Sequence, residues 1–420
     1  MRRVLVTSTY FASDVTIGSA RVAGLARYLP DHGWLPTILT PELPRGHTLV
    51  DQDVEVIEYA DLYGRVRRSV GEPAAGPGRR ASGRRSFRSR AASAAQYVLV
   101  PDWSIGWLPG ARHAIRRLEK EGRRFDAVLS SSNPRTPHLI ARGARRTFDA
   151  PWVADLRDFW TIDHYYRHGF PRKPLERRLE RHVLGDADAL VTVSEPYARR
   201  LGSFLDREVH SVLNGFDPEL WNEPPTPLTE KLTISYTGSL ALGKRDPTLL
   251  LEALAALLAR GEVDRQRIAV RFFGRREGAL DDLVARLGLE DVVTQRGYVD
   301  RADAIRRQQE SHVLVIFFYD HPDEEGVLTG KVEYFAARRP ILGIGGPGGA
   351  MEDLLETTVA GEYVRAHDRT RAEAVLLRWW REYEEHGRVL YRGVDERVRE
   401  LSQTRVAEQF AAILDGVARA

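Results

Sequence analysis

Glu325 and Glu333, with seven residues between them, flank a stretch that can hold an anion ringed by hydroxyl groups. The stretch is YDHPDEEGVLTGKVEYFAARRPILGIGG, residues 319–346, and it reads as strand end, loop, helix, strand and glycine loop. The β-rich run Val313 to Tyr319 stops at Asp320-His321-Pro322, and Thr329 can cap a helix that begins at Gly330. Arg338-Arg339-Pro340 ends that helix ahead of the apolar run Ile341 to Ile344. The free first-turn amides, Thr329 to Lys331, carry the positive end of the helix dipole, and a carboxylate on each side can accept hydroxyl hydrogen bonds. A nucleotide sugar fits that description. So does the alternative, an ordinary buried crossover with two surface glutamates.

A second basic site follows the strand Thr233 to Thr237, where Gly238-Ser239-Leu240-Ala241-Leu242-Gly243 leads to Lys244 and Arg245. These two cations are either phosphate ligands or a solvated pair on a loop. In the first half, Asp155-Leu156-Arg157-Asp158 follows the strand Trp152 to Ala154, at the kind of strand end where a parallel sheet places its chemistry. Asp155 and Asp158 orient hydroxyls there, or Arg157 pairs with one of them to brace the loop. Gly18, in the loop after the first strand, brings backbone to a phosphate or makes a turn. Gly343 to Gly348 satisfies G-x-G-x-x-G, but late in the chain and outside an opening βαβ unit, so it reads as a tight strand-to-helix loop.

These residues need scaffolding, and 420 residues predict two domains of similar size. Apolar content of 43% and charged content of 29% are those of a globular protein. No 18-residue apolar run exists, and the chain enters a strand at Val4, so neither a membrane span nor a signal peptide is expected. Absence of cysteine excludes disulfides, thiolate zinc sites and thiol catalysis, and suits the cytoplasm. A net charge of +3 does not point to nucleic acid. Only five of the 62 basic residues are lysines, and two of the five, Lys244 and Lys331, fall beside the suspected phosphate loops.

Strand 3–8, loop 9–19, helix Ala20 to His32 closed by Gly33, and strand Pro36 to Leu39 open a doubly wound α/β sheet. Residues 64–95 carry nine arginines against one acid, Glu72. That composition predicts a solvated flexible loop or one attached to anionic lipid, to which a basic face around Leu175, Leu179, Val183 and Leu184 could add. Strands 127–129, 152–154 and 190–193 continue the first domain, and Glu223 to Pro227 reads as a linker. Strand–helix alternation resumes at 233, and 370–386 and 394–417 are expected to be amphipathic helices. The expected domains are 1–215, 216–393 and a terminal segment 394–420 that can pack back on the first.

In order and spacing these stretches resemble glycosyltransferase family 4. The similarity rests on IGSARVAGLARYLPDHGW (17–34), PDWSIGWLP (101–109), PWVADLRDFW (151–160), VSEPYARRL (193–201), VLNGFD (212–217) and the paired glutamates. It implies a GT-B fold, two doubly wound Rossmann-like domains facing across a cleft, with the acceptor in the first and the donor in the second. It implies a retaining, metal-independent transferase with no cofactor, acting on a nucleotide-diphosphate sugar (UDP- or GDP-linked) and a hydroxyl acceptor that is a glycan or lipid-linked. Cell-surface glycan, glycolipid or natural-product synthesis, in the cytoplasm or on the inner face of the membrane, would be its setting.

Residue by residue, the resemblance gives Glu325 the donor sugar and Glu333 the ribose. Lys244 and Arg245 serve the diphosphate in place of an arginine where Ser239 stands. Gly18, Ser19, Gly238 and the backbone of Gly326, Val327, Leu328, Thr329, Gly330 and Lys331 line the donor phosphates, and Tyr298 and Val299 the base. Asp155, Arg157 and Asp158 fall to the acceptor. The sequence departs from the family at Ser130 to Asn133, where many members carry a sugar-binding histidine, and His138 on the next helix reads as structural. Four alternatives remain: a sugar-nucleotide epimerase, a phosphorylase with Lys331 as a poor Schiff-base candidate, a catalytically silent scaffold, and a dehydrogenase.

Overall fold

Six of the runs form strands buried along their whole length: Ala127–Ser132, Trp152–Leu156, Ala189–Thr192, Leu232–Thr237, Val313–Phe317 and Ile341–Gly345. Burial of every residue means that both faces of the sheet are covered, the condition under which strands run parallel. A computed structural model of the chain shows two such sheets. It describes residues 1–8, 11, 17–42, 54–61, 99–166, 168–222, 226–240, 243–328 and 331–419. The arginine-rich segment 64–95 lies outside the described residues, as does the expectation of lipid attachment through it. No helix among the described residues is long and apolar enough to cross a membrane.

The chain divides into residues 1–214 with 403–420, and residues 215–402. The first unit holds a seven-stranded sheet in the order β3-β2-β1-β4-β5-β6-β7. Its strands are β1 (Arg2–Thr7), β2 (Trp34–Pro41), β3 (Glu55–Tyr59), β4 (Ala127–Ser132), β5 (Trp152–Leu156), β6 (Ala189–Thr192) and β7 (His210–Ser211), all paired in parallel. Its helices are α1 (Ile17–Tyr28), α2 (Leu108–Lys120), α3 (Thr136–Phe148), α4 (Arg172–Leu184) and α5 (Glu195–Leu205). The second unit opens with the single turn α6 (Glu219–Asn222) and holds a six-stranded parallel sheet, β10-β9-β8-β11-β12-β13. Its strands are β8 (Leu232–Thr237), β9 (Ile268–Phe273), β10 (Val293–Gly297), β11 (Val313–Phe317), β12 (Ile341–Gly345) and β13 (Gly361–Arg365). Helices α7 (Thr248–Ala259), α8 (Gly278–Arg286), α9 (Arg301–Gln309), α10 (Glu333–Ala336), α11 (Ala350–Thr358), α12 (Arg369–His386) and α13 (Asp395–Arg399) connect or follow them. Strand order reverses beside β1 in one sheet and beside β8 in the other, and at such reversals loops diverge and leave room for a ligand.

The expected terminal helix 394–417 is two helices, α13 and, after a break at 400–402, α14 (Gln403–Arg419). α14 belongs to the first unit, where Phe410 and Leu414 join Val22, Leu25 and Leu29 in one core. Asp415 fastens it by accepting from Arg2 at 2.6 Å and from the Trp34 indole at 3.0 Å. Gln403 sits where a side chain at Gly24 would otherwise be and donates to the Ala20 carbonyl at 3.2 Å. The division falls at Asn214/Gly215, ahead of the Pro-rich stretch read as a linker, and Thr226 in that stretch makes a 2.9 Å bond to Gln309 of the second unit. Residues 223–225 of that stretch lie outside the described ones.

Candidate active site

In the second unit the carboxyl ends of β8, β9 and β10 are drawn together by backbone alone. The Gly238 amide donates to the Phe273 carbonyl at 2.7 Å, and the Gly274 amide to the Gly297 carbonyl at 2.8 Å. Gly274 has φ +152, and a Cβ there would lie 2.1 Å from the Gly238 carbonyl oxygen, so this approach requires glycine. The strand tips therefore present bare backbone at the reversal point, with Tyr298 86% exposed and Val299 half-buried just beyond β10.

Lys331 lies beside this place. Its side chain is only 8% exposed, with the ammonium 4.7 Å from the Tyr236 ring centre and 4.8 Å from that of Tyr334. Its hydrogen bond goes to the Tyr334 hydroxyl at 3.3 Å, and that hydroxyl already accepts from the Thr237 amide at 2.8 Å. Arg245 lies on the same side and donates to the Ser239 carbonyl at 2.8 Å. Burial first, then the Arg245 charge, push the Lys331 ammonium down to about 7, against an opposing pull from Glu333. Neither Lys331 nor Arg245 has a carboxylate partner among the described residues. Lys244 is half-buried in the same turn and has partners of its own.

Of the helix expected from Gly330, the described residues hold only a short one. α10 is a single turn beginning at Glu333, after a turn at 331–332. Lys331 and Tyr334 are both pinned against the end of β8, which fixes the turn at their position, and Arg338 in the left-handed region closes it. One turn aligns few peptide dipoles, so the anion attraction expected from helix-start amides passes to the side chains of Lys331 and Arg245. Thr329 and Gly330 themselves lie outside the described residues. Glu333 is not one turn inside a helix but at its first position, where it meets Arg301 of α9 at 2.6 Å.

Glu325 is exposed at the end of a short helical turn, while its neighbour Glu324 is buried. Gly326 and Leu328 are buried and Val327 half-buried. The glycine loop after β12 explains how Glu325 is held. The Ala350 amide donates to the Glu325 carbonyl at 2.9 Å, and a Cβ on Gly349 would lie 2.2 Å from that same oxygen. The G-x-G-x-x-G stretch thus packs against the chain's own loop.

In the first unit, Asp155 is not an accessible acceptor ligand. It is fully buried and accepts from Arg21 of α1 in a two-pronged pair, Nε and Nη2 each at 3.0 Å, and from the Ser131 hydroxyl at 2.7 Å. Arg21, unremarked in the sequence, also donates to the Leu213 carbonyl at 2.7 Å and lies 4.9 Å over the Phe410 ring. Arg157 donates to the Ser132 carbonyl, so loop bracing runs through backbone and through Arg21. Asp158 is exposed and accepts from Asn133 at 3.1 Å. Gly18 and Ser19, expected in a loop, lie in the first turn of α1, because neither residue stops a helix one turn from its end. His138 is buried, with Nδ1 2.8 Å from the Ser130 hydroxyl, and burial pushes it down to about 3. Asp186 and Asp188, an Asp-x-Asp pair, are taken by arginines: Arg142 at 2.6 Å and Arg146 at 2.8 Å on the first, Arg145 at 2.9 Å on the second.

Two parallel sheets, each with its own reversal of strand order, and the cations Lys331 and Arg245 beside that of the second, define a two-domain α/β protein of doubly wound type. Residues 18–215 match the glycosyl transferase 4-like domain family. Among solved structures, HepE of Anabaena, determined with UDP and glucose, superposes with a TM-score of 0.64 at 12% identity, covering 99% of this chain and 100% of that one. A glycosyltransferase from Rickettsia africae (TM-score 0.62, 15% identity, 99% and 98% covered) is also similar. So is a sucrose-phosphate synthase from Thermosynechococcus elongatus (0.62, 16%, 99% of each). No curated protein matches by sequence. The fold is GT-B, and residues 18–215 carry a glycosyl transferase 4-like domain, consistent with a family 4-like glycosyltransferase.

Proposed function

We propose that the enzyme transfers a sugar, with retention and without a metal, from a UDP- or GDP-linked donor to a hydroxyl on a glycan or lipid-linked acceptor, in the making of a cell-surface glycan, glycolipid or natural product. The observation that carries this reading is the pair of cations, Lys331 and Arg245, gathered without a carboxylate partner at the reversal point of the second sheet. HepE, which shares the fold, was solved with UDP and glucose, which supports a nucleoside diphosphate as the anion. In the transfer, the anomeric carbon loses its bond to the diphosphate oxygen and gains one to the acceptor oxygen. The acceptor proton leaves with the diphosphate or to solvent. Negative charge grows on the departing diphosphate, and this reading gives Lys244 and Arg245 the task of meeting it. On the first unit, Asp158 and Arg157 are the acceptor-facing candidates that remain once Asp155 is assigned to Arg21.

Retention and metal independence are tested together. Proton NMR of the product linkage is expected to show the donor's anomeric configuration, with transfer undiminished in excess chelator. An inverted product, or activity lost to chelator and restored by a divalent ion, overturns this part of the reading.

The two glutamates are expected to fail differently. Glu333→Ala removes a charge-assisted bond to the ribose and should weaken nucleoside diphosphate binding by about 10–100-fold. Glu325→Ala should leave nucleoside diphosphate binding unchanged and weaken only the intact donor. Calorimetry with both ligands separates the cases, and parental affinity of both variants for both ligands would mean that the donor lies elsewhere.

A further inference from the structure

The geometry points to the Lys331 ammonium, held between two tyrosine rings at the tip of β8, as a buried ligand of the donor diphosphate that gains its proton as the anion binds. The inference rests on the reading that the second unit takes a nucleoside diphosphate, and it concerns the side chain where the sequence pointed to backbone. An ammonium has three donors, and here one long bond of 3.3 Å serves one of them. The ammonium lies 3.0 Å from where a Cβ on Gly238 would stand, so the bare tip of β8 leaves it facing the backbone that an anion would approach.

The groups around it do not supply the missing charge. Tyr236 of β8 and Tyr334 of α10 are both pushed up by burial and stay neutral. Arg245, ahead of α7, carries like charge, and Glu333 of α10 is engaged by Arg301 at 2.6 Å. A buried cation without a carboxylate bound to it recovers little of its desolvation cost, which agrees with an ammonium already pushed down to about 7. A diphosphate beside Gly238 reverses that balance and raises the proton affinity again. Below the value for the free protein the proton is already present and binding takes up none. Above it, binding draws a proton from solution, and affinity falls with rising pH until the value for the complex is passed.

The test is calorimetry of the full chain with UDP and with GDP at pH 8, in two buffers of different ionisation enthalpy. Binding is expected to take up a net fraction of a proton, and affinity to fall several-fold between pH 7.5 and 8.5. Lys331→Met should abolish both the uptake and the slope, and weaken binding at least about tenfold at pH 6.5. Lys331→Arg should keep affinity without uptake. Should the Met variant fail to fold, proton uptake by the parent decides alone. Diphosphate binding with no proton exchange and no pH dependence between 7 and 9 overturns this inference and leaves the proposed function standing. Failure of either nucleotide to bind the parent overturns both.

Discussion

Replacing Lys244 and Arg245 together by alanine is expected to lower turnover by about 10³-fold while weakening nucleoside diphosphate binding far less. Preorganised charge aimed at a leaving group is worth about 10²–10³ in rate per contact, and contacts that strengthen only as the bond breaks appear in kcat rather than in ground-state affinity. Arg245 is fixed by its bond to the Ser239 carbonyl, so it needs little reorganisation as charge develops. Lys244 is the longer, more adaptable cation of the same turn. Either single variant should fall at the lower end, about 10²-fold, since its neighbour compensates in part. Lys331 lies deeper and remains to bind the ground state, which is why affinity should survive. Single-turnover kinetics with the intact donor, beside calorimetry with the nucleoside diphosphate, make the comparison. Equal losses in rate and affinity would assign the pair to uniform binding, and unchanged kinetics would remove it from the site.

Asp155→Ala is expected to cost the first unit about 3–5 kcal/mol, because it strands the Arg21 guanidinium in a fully buried place. Both side chains of the pair are at most 1% exposed. Arg21 also holds the Leu213 carbonyl and lies over Phe410, so the loss should loosen the end of the first unit's continuous segment and the returning α14 together. At about 2–4 °C per kcal/mol for a unit of this size, the first thermal transition should fall by about 10 °C. The double variant Arg21→Met with Asp155→Leu should regain most of the loss, since a buried pair replaced by apolar groups is often neutral or better. Calorimetric melting of the three proteins checks this, with hydrogen exchange in α14 as a local readout. A loss below 1 kcal/mol for the single variant would show that water reaches the pair and that Asp155 belongs with the ligand-facing residues after all.

Most of the strands were legible from residue types because their reason is local. Runs such as Val4-Leu5-Val6 and Val313 to Phe317 are apolar at every position, and a strand covered on both faces reads that way. β3 was overlooked because Glu55-Val56-Ile57-Glu58-Tyr59 sets two apolar residues side by side and breaks the alternation; an edge strand of five residues gives a weak signal. Lys331 and Gly238, both expected at the donor from their loops, do meet at the tip of β8, because in a doubly wound sheet chain order fixes which loops share an end. Only the tertiary structure decided what each side chain does there. Sequence spacing placed Lys331 in a helix start and gave its amide the role, but packing against Tyr236 and Tyr334 turns the ammonium inward and reduces the helix to one turn. Asp155 was read as facing a ligand because it ends a strand. Its partner Arg21 lies 134 residues away on another element, and no local pattern announces a pairing made by the return of one helix to one strand. Periodicity and strand-end position are written in neighbouring residues. Which of two charged groups is buried, and against what, depends on segments that meet only when the chain has folded.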